Sequence, residues 1–144
     1  MDRDDTVKLL KECNAGVKTA VTSIDEILPK VQEDELKRIL GQSKQDHEKI
    51  GDQTHIILNE YRDSEKDPNP IAKAMSYMKI NMKMIQNPND HEVADLMTDG
   101  CNMGIKSIHK YLNQYDQASS NVKQLSMDLI QLEENLRKDL CKYL

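Results

Sequence analysis

Residues 119–144 read SSNVKQLSMDLIQLEENLRKDLCKYL. Val122, Leu125, Leu129, Leu132, Leu136, Leu140 and Tyr143 recur there at steps of three and four, which stacks them along one face of an α-helix. Ser119 or Ser120 supplies an N-terminal cap. The seam read this way carries no inward polar residue. A helix with one such stripe has to bury it against other helices. The stretch therefore predicts an all-α bundle with this segment as its last helix.

The same spacing runs back through the chain. Helix 3b, 91–115, has the seam Val93, Met97, Gly100, Gly104, Ile108, Tyr111 and Tyr115. Its two glycines one turn apart invite close approach by another helix, at a cost of roughly 1 kcal/mol each in intrinsic helicity. Before it, Gln86-Asn87-Pro88-Asn89-Asp90 breaks the pattern: Asn before Pro disfavours αR, and Asp90 is placed to cap helix 3b. Helix 3a, 70–85, carries Ile71, Met75, Met78, Met82 and Ile85. The 63–70 stretch holds two of the four prolines and reads as a loop. Helix 2, 33–62, has the seam Leu36, Leu40, Ser43, His47, Ile50, Thr54, Ile57 and Tyr61, polar in its middle. Helix 1, 4–28, has Val7, Leu10, Asn14, Val17, Val21, Ile24 and Leu28, and Pro29 blocks its continuation. Long helices with short links pack antiparallel. The fold expected is one domain, 1–144, an antiparallel four-helix bundle whose third helix is broken near Asn87-Pro88.

Composition agrees. A chain of 144 residues can bury a real core. It has no Phe or Trp, five Gly and four Pro, against eight Met, which disfavours strands and turn-rich folds. The net charge of −5 comes from interspersed acids and bases, with no basic stripe for a phosphate backbone, so nucleic acid is not an expected partner. No apolar run approaches the roughly 20 residues that span a membrane. The charged start Met1-Asp2-Arg3-Asp4-Asp5 lacks the apolar core of a secretory signal. Cys13, Cys101 and Cys141, odd in number and far apart, read as reduced thiols in a cytoplasm.

Candidate chemistry gathers on helix 2. His47 lies on the inward seam with Ser43 and Thr54, and Asn14 can meet them from helix 1. Such a core polar cluster (Asn14, Ser43, His47, Thr54) either binds a metal or small ligand or simply fixes helix register as a hydrogen-bonded core histidine. Asp52 and His55, three apart, are candidate metal ligands with His47, for iron or zinc. The bland alternative for them is a solvated face. His47-Glu48-Lys49-Ile50-Gly51 faintly resembles the phosphoryl-accepting segment of histidine phosphotransfer domains, which needs an accessible imidazole. Cys101 beside two glycines reads as a small buried residue, and His109 is too far along the helix to activate it. The Met75, Met78, Met82 and Met84 stripe is core or a contact surface.

The helix-1 segment Asn14-Ala15-Gly16-Val17, the helix-2 opening Leu36-Lys37-Arg38-Ile39-Leu40, the Asn/Asp break and the glycines of helix 3b together resemble the ferritin-like superfamily. More narrowly they resemble a small bacterial branch of unknown function. Di-iron members of that superfamily hold iron with inward Glu residues and Glu-x-x-His pairs. This chain has no Glu-x-x-His. Asp52-x-x-His55 is nearest, helix 4 has Glu133 and Glu134 without a His, and helix 1 presents Asn14. The resemblance thus implies a bundle without an intact di-iron motif. The reading expected is a cytoplasmic, bacterial, interaction protein, more a non-enzyme than an enzyme. It is expected to work through a protein partner or itself as a homodimer, with no cofactor. The alternatives are a degenerate metal-binding protein and histidine phosphotransfer through His47.

Overall fold

The computed structural model describes residues 2–63 and 89–144. They form a four-helix bundle: α1 (Arg3–Ile27), α2 (Asp34–Glu60), α3 (Asp90–Gln114) and α4 (Ser120–Leu140). Short 3-10 turns at Leu28–Lys30 and Cys141–Tyr143 follow α1 and α4. No described residue is in a strand. Helix 3a, its methionine stripe and the Asn87-Pro88 break lie outside the described residues.

Local chemistry sets the helix ends. The Asp2 side chain accepts the Asp5 N–H at 2.9 Å and caps α1. Pro29 sits inside the 3-10 turn that ends it. Asn89, not Asp90, caps α3, accepting the Glu92 N–H at 2.9 Å. Asp90 instead reaches across to the start of α2 and accepts the N–H groups of Gln32 and Glu33 at 2.8 and 2.9 Å. At the far end of α2, Arg62 adopts a left-handed backbone, φ 54°. The N–H of Asp63 then donates back to the Leu58 carbonyl at 3.0 Å, closing the last turn.

These contacts fix direction. Asp90 ties the starts of α2 and α3 together. At the opposite end the Asp2 N–H donates to the Gln117 carbonyl, 2.7 Å, and Arg3 donates to the Tyr61 carbonyl, 2.8 Å. So α2 and α3 run the same way, and the link between them joins opposite ends of the bundle. Simple sequential antiparallel order does not hold for this pair. The main packed pairs are α1 with α2 and α3 with α4; α2 also packs on α4, and α1 on both α3 and α4.

The core comes in two apolar clusters. One is built around Ile24, Leu36, Leu40, Val93, Met97, Leu136 and Leu140, near the α2 start. The other surrounds Leu9, Leu10, Val17, Leu58, Val122 and Leu129. His47 and Glu133, both buried, belong to neither.

Candidate functional site: a closed polar layer at mid-bundle

His47 is completely buried on α2. Its Nδ1 faces the Ser43 carbonyl of the preceding turn at 2.7 Å, and its Nε2 faces Glu133 Oε1 of α4 at 2.6 Å. With Glu133 ionised both neighbours are acceptors, and the imidazole then satisfies both only as a doubly protonated cation donating from each nitrogen. Burial works to lower its pKa. The hydrogen bond and charge of Glu133, helped by the Ser43 carbonyl and by Asp46, outweigh that and raise it above the ordinary value.

Glu133 is met from α3 as well. A Cβ built on Gly104 would lie 3.6 Å from Glu133 Cδ, so the absent side chain leaves room for the carboxyl. The Cys101 thiol lies near Glu133; burial, then the nearby carboxylate, pushes its pKa far up. Both effects disfavour a thiolate, so Cys101 is no nucleophile here. The layer therefore joins α2, α3 and α4 through Ser43, His47, Glu133, Cys101 and Gly104.

The four polar residues expected to cluster divide into two pairs. Ser43 stays with His47, its Oγ 3.3 Å from Nδ1. Asn14 donates to Thr54 Oγ1 at 2.7 Å, and the Thr54 hydroxyl donates in turn to the Gly51 carbonyl, also at 2.7 Å. That fixes the amide orientation and leaves Asn14 Oδ1 buried without a partner. Between these pairs Val17 packs on Gly51, where an added Cβ would lie 3.0 Å from Val17 Cγ1.

The three candidate metal ligands do not converge. His47 points to α4, whereas Asp52 and His55 are exposed and line an open groove of about 620 Å³ between α1 and α2, with Asn14, Val17, Val21 and Gly51. The reason is helical: five and eight residues on from 47 fall well round the cylinder from it. Among the described residues no three His, Cys, Asp or Glu side chains are grouped to hold a metal ion. An imidazole with no exposed surface also offers no acceptor to a phosphoryl donor.

Glu133 was legible in one respect. Val122, Ser126, Leu129, Glu133, Leu136 and Leu140 step by four and three without a break, and all six are buried. Leu125 of the hydrophobic seam is buried too, but Leu132 is only half-buried, and the inward position beside it belongs to Glu133. Ser126 accepts from the Cys13 thiol of α1, 3.1 Å away, while donating to the Val122 carbonyl. Burial pushes the Cys13 pKa up to about 12. Glu12 on α1 is a second buried acid that hydrophobic patterning passes over; burial first, then the charge of Glu12, raises the pKa of Tyr111 on α3. Comparison with known protein families, with curated sequences and with solved structures finds no match to this chain.

Proposed function

We propose that this chain is a ferritin-like bundle without a di-iron centre, a non-enzymatic module that acts through protein–protein contacts as a homodimer, in a bacterial cytoplasm. The observation that carries the reading is the closed His47–Glu133 pair. Bundle proteins build metal and cofactor sites from facing inward side chains at mid-height. Here both imidazole nitrogens are already engaged at that level, by Ser43 and Glu133. The shared direction of α2 and α3 supports the ferritin-like part, since that layout has one long crossover link. No described helix is long and apolar enough to cross a membrane.

The metal-binding alternative draws on Asp52 and His55, which share the α1–α2 groove. Elemental analysis of protein purified without an affinity tag, with and without added iron or zinc, separates the two readings when paired with light scattering. A dimer mass with no retained metal supports the interaction module. One or two metal ions per chain, lost in an Asp52→Ala, His55→Ala variant, overturns it in favour of a metal protein. A monomer mass without metal removes the homodimer and leaves a foreign partner.

A further inference from the structure

Ser43 has two sides. One touches His47; the other lines a cleft of about 200 Å³ at the surface between α2 and α4, whose rim carries Arg38, Gln42, Asp46, Asn135 and Asp139. Ser43 thus lines the cleft while its hydroxyl lies 3.3 Å from the Nδ1 of a histidine that has no exposed surface of its own. We propose that this cleft is the proton port of the buried pair, and that the His47–Glu133 contact is a charge-assisted clamp between α2 and α4 that alkali weakens.

The chemistry balances simply. Nδ1 gives its proton to the Ser43 oxygen as the hydroxyl hands its own proton to water or hydroxide in the cleft. The imidazole becomes neutral and the solvent gains one proton. Neutral imidazole has one N–H only, yet it faces two acceptors, the Ser43 carbonyl and the Glu133 carboxylate. One lone pair must then point at an oxygen in a water-poor interior, so one of the two links fails. The Ser43 hydroxyl can turn to fill Nδ1, which surrenders the carbonyl bond and keeps an N–H on Glu133, but the contact with Glu133 then loses the imidazolium charge that strengthens it.

The charged groups around His47 set the sign. From α4 comes Glu133, and from α2 Asp46; both favour the cation. From α3 comes Cys101, held as a neutral thiol by burial and by Glu133. Arg137 of α4 acts on Cys101 and bonds to Asn102 at 2.8 Å. From α1, whose Val17 packs against Gly51 one turn beyond His47, the buried polar side chains flanking Val17 are Asn14, bonded to Thr54, and Thr19 and Ser23, bonded to their own helix, all uncharged; the buried acid of α1, Glu12, stands more than a turn from Val17 toward the helix start. The folded pKa of His47 lies above its ordinary value of 6.5. Its contribution to stability is therefore fully present below that value and is lost as pH rises through the folded one.

Two measurements test this. Denaturant unfolding is followed from about pH 6.5 to about pH 9.5 for the wild type and for a His47→Gln, Glu133→Gln double variant. Over the window in which the pair titrates, the wild-type folding constant should fall about tenfold per pH unit more than that of the variant; parallel profiles overturn the clamp. The second reads the port on folded protein alone, and so stands even if the double variant does not fold. Solvent exchange of the His47 ring N–H, followed by ¹⁵N NMR, should slow at least tenfold, taking one decade as the decisive change, in Ser43→Val. Ser43→Thr, which keeps the hydroxyl, should recover it. Exchange unchanged in Ser43→Val overturns the port. A ring that titrates at or below 6.5 overturns the clamp.

Discussion

Glu133 and His47 are each tolerable in the interior only because of the other. Removing one partner strands a buried charge, which costs about 3–5 kcal/mol; replacing both with apolar residues of similar volume is often neutral. Glu133→Ala should therefore lower unfolding stability by about that amount, while Glu134→Ala, one position along and only partly buried, changes it little. The His47→Leu, Glu133→Met double variant should return to within about 1 kcal/mol of wild type in the same urea titration. Equal costs for Glu133→Ala and Glu134→Ala would show that the pair contributes nothing to holding α2 on α4. The cysteines make a second residue-scale test. Cys13 and Cys101 are buried, with thiols pushed up in pKa, and Cys141 is exposed. A maleimide reagent should label one thiol promptly in folded protein and three after denaturation; prompt labelling of a second would mean the core opens there. The sequence could suggest that Cys101 is buried. It could not say that a glutamate would lie against it, because that needs α4 rotated by a specific angle.

Among the elements, α2 carries two glycines with opposite roles. Gly41 has open space where a Cβ would go, whereas the Cβ of an alanine at 51 would press on Val17 Cγ1 at 3.0 Å. Glycine in a helix interior costs roughly 0.8–1 kcal/mol relative to alanine. Gly41→Ala should therefore raise stability by nearly that amount. In Gly51→Ala the same intrinsic gain is spent shifting α1 off α2, so the variant should be no more stable than wild type. Comparing the two melting temperatures checks this, and an equal rise in both would mean α1 and α2 are not in close contact at Val17. The spans of the four described helices were readable to within a few residues, because caps, prolines and apolar period all act locally. The choice of capping residue was not. Asn89 caps α3, and Asp90 is freed to serve α2 because the two helix starts lie side by side.

For the whole molecule, Asp90 holds two helix starts in one end of the bundle. Asp90→Ala orphans two backbone donors at once and should cost about 1–2 kcal/mol, more than loss of one ordinary cap contact. Hydrogen exchange should quicken at Gln32 and Glu33 in that variant; unchanged protection there would mean the two starts are not joined. The fold class followed from the sequence alone. Period 3.6 apolar stripes, scarce glycine and proline, and absent Phe and Trp leave a helical bundle as the packing that hides those stripes. Two things waited for tertiary structure. One is the common direction of α2 and α3, decided by which ends meet. The other is the pairing inside, where Asn14 goes to Thr54 and His47 to Glu133 rather than all four expected residues meeting. The physical reason is the same for both. A helix is a local property of the backbone and its side chains, whereas the rotation and direction of each helix are settled only when all four bury their faces together.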